Sequence, residues 1–378
     1  MQLSFFDILI IIGMFTGFVC SILLFLKSKK KKSNKYLGLA LLAFVWLNTK
    51  TLLLSLDLWS IHGIGFFPNG VELALPPLFY LYAQSLVQAS FKFERRQWLH
   101  FIPFLLSQGY AIIVYIAVMT TNIYQEKLAI ADLYHFNTVK HTEEYLMLIS
   151  AFIYLYLGYQ LIRKYRSWLE SNISETQYSQ LSFLNVLFFG VLFISVYILV
   201  NLIVSFTLTD EHYWRWQLAH LFIAALVYYL GLVGYKNADV VPQAYSETTN
   251  MKKAKPFNEQ VKKDFADQLE AALLHDNVYL NPRLTLQDLA DSMNVNEATL
   301  SHWINTHYGE NFRTVINRLR VEEVKTRLKT DSLRNLSLLG LAEECGFNSE
   351  ASFYRIFKNM VGVTPKQFMD AHTKHSHQ

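Results

Sequence analysis

Two stretches decide the fold of the C-terminal part: Leu341-Ala342-Glu343-Glu344-Cys345-Gly346-Phe347 and Leu289-Ala290-Asp291-Ser292-Met293-Asn294-Val295. They are two copies of one pattern, a short helix with a Leu-Ala pair that runs into a tight turn. Gly346 suits a left-handed turn residue because it has no Cβ, and Asn294 is the next best choice. An N-cap candidate follows each turn, Asn296 or Asn348, and opens a second helix. Leu300 and Ile304 predict the buried stripe of the first such helix, Phe353 and Phe357 that of the second. Gly309 and Gly362 stop them. This is helix-turn-helix architecture, present twice.

Between the copies, Phe312, Ile316, Leu319, Val324 and Leu328 recur at helical spacing, so one long helix joins the modules and fixes their separation. Two second helices on one rigid body suit successive major grooves about 34 Å apart. Upstream, Asn258 is a cap candidate and Val261, Phe265, Leu269 and Leu273 form one apolar stripe. The inward stripes leave Ala298, Ser301, His302 and Asn305 facing out on one second helix, and Ala351, Ser352, Arg355 and Lys358 on the other. Arg355 has the geometry for a two-bond contact to guanine O6 and N7. The serines and His302 suit base edges or phosphates, the alanines a thymine methyl, and Lys358 a phosphate. Trp303 and Tyr354 flank the stripes and read as core or rim packing.

The segment Leu341-Ala342-Glu343-Glu344-Cys345-Gly346-Phe347-Asn348-Ser349, with Phe353-Tyr354-Arg355-Ile356-Phe357-Lys358 and Gly362-Val363-Thr364-Pro365-Lys366-Gln367-Phe368, resembles the signature of AraC/XylS-type bacterial regulators. The resemblance covers residues 258–368. It implies sequence-specific binding to double-stranded DNA, and RNA polymerase and a second copy of the chain as partners. That family usually carries Arg and Lys where this chain has His302 and Asn305. The part before it looks like a membrane sensor domain of the kind seen fused to such modules.

The rest of the chain is written for a different solvent. Of 378 residues 52% are hydrophobic and 17% charged, against about 25% charged in an ordinary soluble domain. The deficit lies before Tyr235. Apolar runs at 5–26, 36–56, 71–90, 98–119, 144–162, 181–206 and 216–235 each approach the roughly 20 residues a bilayer requires. The fold expected is therefore all-α: seven spans over 1–235, a polar linker at 236–257 holding Pro242 and Lys252-Lys253-Ala254-Lys255, the double helix-turn-helix domain at 258–370, and a tail at 371–378. Lys27 to Lys35, Lys92, Arg95, Arg96, Arg163, Lys164 and Arg166 fall on one side of these spans. Lys127, Lys140 and Arg215 fall on the other, a bias of about fourfold. The rule places Met1 outside and the DNA-binding domain in the cytoplasm of a bacterial inner membrane. Trp59, Trp98, Trp214 and Trp216 fit interfacial belts, and Pro76-Pro77 reads as a kink within the third span.

Polar groups inside a membrane are costly and tend to serve a function. Lys50, Glu72, Asn201 and His220 fall at one depth, the outer half of their spans, where they suit an outward-facing pocket for a small-molecule or membrane signal. An internal network that only holds helices together is the alternative. Charges from Met251 onward nearly balance, so the case for DNA rests on motif and geometry. The two cysteines, Cys20 and Cys345, read as structural, and His372, His375 and His377 resemble a metal tract in composition only. There is no Ser/His/Asp set and no glycine-rich phosphate loop, so the chain is read as neither enzyme nor cofactor binder. Three functions compete: a one-component sensor-regulator, a transporter or membrane enzyme with an accessory regulatory domain, and a module on a plain anchor.

Overall fold

The computed structural model describes residues 4–56, 64–88, 91–174, 179–208, 213–238, 259–329 and 337–375. These are helical, and they divide into two units. One comprises Met1–Arg163 and Gln180–Ser246, the other Lys164–Ser179 and Glu247–Gln378. Asn258, residues 239–257 of the expected linker, Trp59 and His377 lie outside the described residues, while Lys236 of that linker ends the last apolar helix.

The apolar unit is built from α1 (Phe5–Lys27), α2 (Ser33–Ser55), α3 (Leu75–Val87), α4 (Ile102–Val118), α5 (Tyr124–Leu133), α6 (Phe136–Asn172), α7 (Ser179–Leu208) and α8 (Tyr213–Lys236). Six helices among the described residues are long and apolar enough to cross a membrane: α1, α2, α4 with its lead-in, α6, α7 and α8. Their outer faces carry large apolar side chains in the open. Leu106 and Phe189 are each 69% exposed, a cost in water that vanishes in lipid. Small residues let α1, α2 and α8 approach closely, as membrane helices require. A Cβ on Gly13 would lie 3.0 Å from that of Ala224, and the Ser21 hydroxyl donates to the Gly38 carbonyl at 2.8 Å.

The third apolar run departs from expectation. Pro76 and Pro77 do not kink a helix; they sit in the first turn of α3, after a 3-10 turn over Val71–Ala74. Proline lacks the N–H that a first turn leaves unpaired anyway, so it starts a helix as readily as it bends one. The combined rise of Val71–Val87 is roughly 28 Å, slightly under a hydrocarbon core. Leu78, Phe79, Leu81, Ala83 and Leu86 are all buried, so α3 is sheathed by protein. The run at 36–56, by contrast, forms one unbroken helix through Asn48 and Lys50. Asn48 bonds the Phe44 carbonyl one turn back.

The second unit holds α9 (Glu259–Glu270), α10 (Leu286–Ser292), α11 (Glu297–Tyr308), α12 (Phe312–Lys329), α13 (Leu338–Glu344), α14 (Glu350–Val361) and α15 (Pro365–His375). The expected turns are present: Asn294 has φ 52° and Gly346 φ 86°, at matching places in the two repeats, and Gly309 and Gly362 close α11 and α14 with positive φ. There are two cores. Phe265, Leu269, Leu289, Leu300, Trp303 and Ile304 build the first, together with Phe312 and Ile316 of α12. Val324 and Leu328 of α12 belong to the second, with Leu341, Phe347, Phe353 and Phe357. The long helix thus gives one half to each module.

Arg320, between those halves, is 2% exposed. Its Nε donates to the Tyr279 carbonyl at 2.7 Å, and Nη2 donates to the Asn281 carbonyl at 2.7 Å and the Ser174 hydroxyl at 3.2 Å. Burial pulls its guanidinium down to about 10, so it stays charged at neutral pH. Ser174 belongs to the segment Lys164–Ser179, read from composition as a loop between spans. It is 1% exposed, its hydroxyl donates to the Leu284 carbonyl at 2.7 Å, and Ile173 forms an antiparallel bridge with Thr285. The end of α6 and the two residues after it are therefore part of the first module.

Candidate functional site

Each second helix of a repeat is fixed at both ends before it presents anything outward. In α11 the Asn296 side chain accepts from the Thr299 N–H, and Gly309 closes the other end. In α14 the cap is Ser349, one residue after the expected Asn348. Asn348 instead donates from Nδ2 to the Pro282 carbonyl at 3.0 Å, which ties the second turn to the first module. Behind each helix lies a packed core, so the outer face is rigid, as a reading head requires.

On α14 the outer face carries Ala351, Arg355, Lys358 and Asn359, all exposed. Ser352 is not among them. It is 5% exposed, because its N–H and its hydroxyl both bond the Ser349 hydroxyl and draw the residue inward. Asn359, one turn beyond Arg355, joins this face although the sequence offers no turn or stripe signal for it. An asparagine can bond adenine N6 and N7. On α11, His302 and Asn305 are exposed and Ala298 and Ser301 half-buried. Trp303 is core, its ring 5.2 Å from that of Phe265 and 4.3 Å from that of His307. Tyr354 is half-buried on the rim of the second core. Burial and the charge of Asp291 push the Glu297 carboxyl above its ordinary range. Burial also pushes the Cys345 thiol up to about 11, which leaves it an inert core side chain.

The apolar unit holds a cavity of about 350 Å³, within the range of small-molecule pockets. Lys50, Glu72 and His220 line it, as does Glu144, at the first residue of the fifth apolar run. Asn201, grouped with them by depth, does not. It is 5% exposed and donates to the Tyr197 carbonyl one turn back at 3.1 Å. Its side chain turns along α7 instead of into the cavity. His220 bridges helices: one ring nitrogen lies 3.2 Å from Asn48 Oδ1 and the other 3.0 Å from the Thr51 hydroxyl. Glu72, Lys50 and His141 all lie within electrostatic reach of Glu144.

A helix-turn-helix domain family matches residues 289–371. An uncharacterized HTH-type transcriptional regulator, YobQ of Bacillus subtilis (strain 168), is 29% identical over 108 residues, 29% of this chain and 44% of its own length. The HTH-type transcriptional activator CfaD of Escherichia coli is 24% identical over 147 residues, 39% of this chain and 48% of its own. The transcriptional activator AggR of Escherichia coli is 29% identical over 105 residues, 28% and 37% of the two chains. The chain thus spans under half the length of each of these relatives. A protein of unknown function from Listeria innocua aligns to 29% of this chain and 96% of its own, at 25% identity and a TM-score of 0.25. Taken with the double repeat, the capped turns and the signature around Gly346, the domain-family match and the three regulator relatives support an AraC/XylS-type helix-turn-helix domain in the C-terminal part of this membrane-associated protein.

Proposed function

We propose that the chain is a membrane-bound one-component transcription regulator rather than an enzyme: the apolar unit senses a signal, and the two helix-turn-helix modules carry it to double-stranded DNA. One observation carries this reading. The helix α6 is unbroken from Phe136 to Asn172, and it begins in the apolar unit and ends in the DNA-binding one. Its exit residues Ile173 and Ser174 are built into the first module beside Arg320. A plain anchor needs no such element. A sensor does, because a signal must bias a part common to both functions.

In this reading α3 is a seventh crossing, short because protein surrounds it. Met1 then lies outside and the DNA-binding domain in the cytoplasm of a bacterial inner membrane, in keeping with the lysine and arginine bias. Arg355 reads a base, Lys358 and Asn359 hold phosphate or a neighbouring base, and α11 positions more than it reads. A second copy of the chain occupies a second half-site, and RNA polymerase is the downstream partner. Mapping genomic occupancy of the intact chain, and of a chain whose spans are replaced by a plain anchor helix, tests the proposal. The expected result is shared target sites with regulation lost in the swap. Regulation that survives the swap would reduce the apolar unit to an anchor.

A further inference from the structure

The cavity in the apolar unit sorts its lining by polarity. On α2, Lys50 and Thr51 come after Phe44 and Leu47, toward the helix end that the charge bias places outside. On the run leading into α3, Glu72 precedes Leu75 and Phe79. On α6, Glu144 precedes Met147 and Ala151. On α8, His220 precedes Ile223 and Val227. Lys50, Glu72, Glu144 and His220 thus sit toward the outer end of these four elements, with Phe44, Phe79, Ala151 and Val227 deeper in, while α7 adds Val191, Ile194, Ser195 and Ile198 to the wall. A network that only pinned helices together would not need an apolar floor of this size beneath it.

The polar end is also unbalanced. Among the described lining residues Glu72 and Glu144 bring two carboxylates against the one ammonium of Lys50, and His220 is engaged with Asn48 and Thr51. His141 approaches Glu144 at 3.8 Å from outside the cavity, with its side chain 71% exposed, so solvent screens its charge. Two carboxylates that share one ammonium beside an apolar wall favour a further cation of suitable shape.

We propose that the cavity binds a small amphipathic amine, its protonated head between Glu72 and Glu144 and its apolar body along Phe44, Met147, Ala151 and Ile223. This rests on reading the apolar unit as the sensing part. The head stays at the outer end and the tail goes inward, so the ligand enters from outside the cell or from the outer leaflet. Lys50 holds the two carboxylates apart and excludes a second cation.

The test uses the full chain in nanodiscs of zwitterionic lipid, with empty nanodiscs subtracted for partitioning. Octylammonium, octanol and octanoate are titrated as three probes of one length and different heads. The expected result is saturable binding of one octylammonium per chain, at least tenfold tighter than octanol or octanoate. Glu72→Gln and Glu144→Gln should each weaken it fivefold or more. Glu126→Gln, on the exposed surface of α5, should leave it unchanged. Ala151→Phe, which fills the apolar floor, should abolish it while the melting profile of the chain is kept. Saturable octanoate binding that Lys50→Met removes would overturn the amine and leave the sensing reading standing. No saturable binding of any probe would overturn the cavity as a ligand site. Octylammonium that binds as expected yet leaves operator affinity unchanged would support the ligand class and sink the sensing reading.

Discussion

The two helix-turn-helix modules share a backbone plan and differ in what they do with it. Both turn through a left-handed residue, Asn294 in the first and Gly346 in the second. Both cap the second helix with a side chain and end it at a glycine. The first module packs a large core and takes in the end of α6, while its outer face offers His302 and Asn305 and no permanent cation. The second has a smaller core and puts Arg355 and Lys358 outward. On the proposed function the first module is the one held and the second the one that reads. The joint between them is Arg320 of α12, with Gly346 against it.

That joint gives the largest expected effect. A Cβ at Gly346 would fall 2.8 Å from Arg320 Nε and 2.9 Å from the carbonyl oxygens of Tyr279 and Leu280. Backbone cannot step aside, and φ 86° already disfavours an L residue. Gly346→Ala should cost roughly 3 kcal/mol, and Asn294→Ala about 1 kcal/mol, because only the second turn is pressed against the joint. Amide exchange in α10 reports opening beside the first turn of the intact chain, and alkylation of Cys345, fully buried in the second core, reports opening beside the second when Cys20 is replaced by serine. Equal acceleration in both variants would show that the two turns are equivalent after all.

The reading faces come next. Arg355→Ala should weaken operator binding by about 1–3 kcal/mol and relax preference at one base pair. Lys358→Ala should weaken operator and scrambled duplexes alike and flatten the salt slope by about one ion. His302→Ala should do less than Arg355→Ala. Titrations of the three variants on both duplexes decide this, and undiminished operator preference in Arg355→Ala would move reading to the first module. A smaller effect belongs to Ser174. Ser174→Ala loses the hydroxyl bonds to Leu284 and Arg320, worth about 1 kcal/mol net, and leaves the second module untouched. It should speed proteolysis near Leu284 and leave Cys345 alkylation unchanged.

Much of this was legible in the sequence, for reasons that differ by residue. The turns were visible because few residues tolerate φ above zero, and Asn294 and Gly346 stand at matching places in the two repeats. The cores followed from helical periodicity. The contacts of Ile173 and Ser174 with the first module were not visible, since Ser174 acts through single hydrogen bonds that leave no period, and Arg320 looks like one more arginine on a polar helix. Pro76 was misread because proline has two helical roles that sequence does not separate. Lys50, Glu72 and His220 line one cavity, whereas Asn201 bonds along its own helix and Glu144 joins the lining, because helix rotation is not written in a run of polarity.

The smallest effect sharpens the comparison at one equivalent position. Glu297 and Glu350 are each the first helical residue after the cap, where a carboxylate gains about 0.3–1 kcal/mol from the helix dipole. Glu350 is exposed and keeps that gain. Glu297 is half-buried beside Asp291, and both its burial and that charge raise its pKa. A raised carboxyl binds its proton more tightly in the folded chain than in the unfolded one. Its contribution therefore favours the fold at low pH and is lost as pH rises through the raised value. Glu297→Gln removes the charged form altogether, so it should stabilise the first module at neutral pH and change little in acid. Glu350→Gln should do the reverse at neutral pH, a slight loss of dipole stabilisation. Both remove one negative charge beside the proposed DNA-facing surface, so on that reading both should tighten nonspecific DNA binding by a similar small factor. Amide exchange in α11 and α14, followed from acid to neutral pH, separates the two residues. Matched pH profiles for the two variants would mean that the two modules bury this position alike.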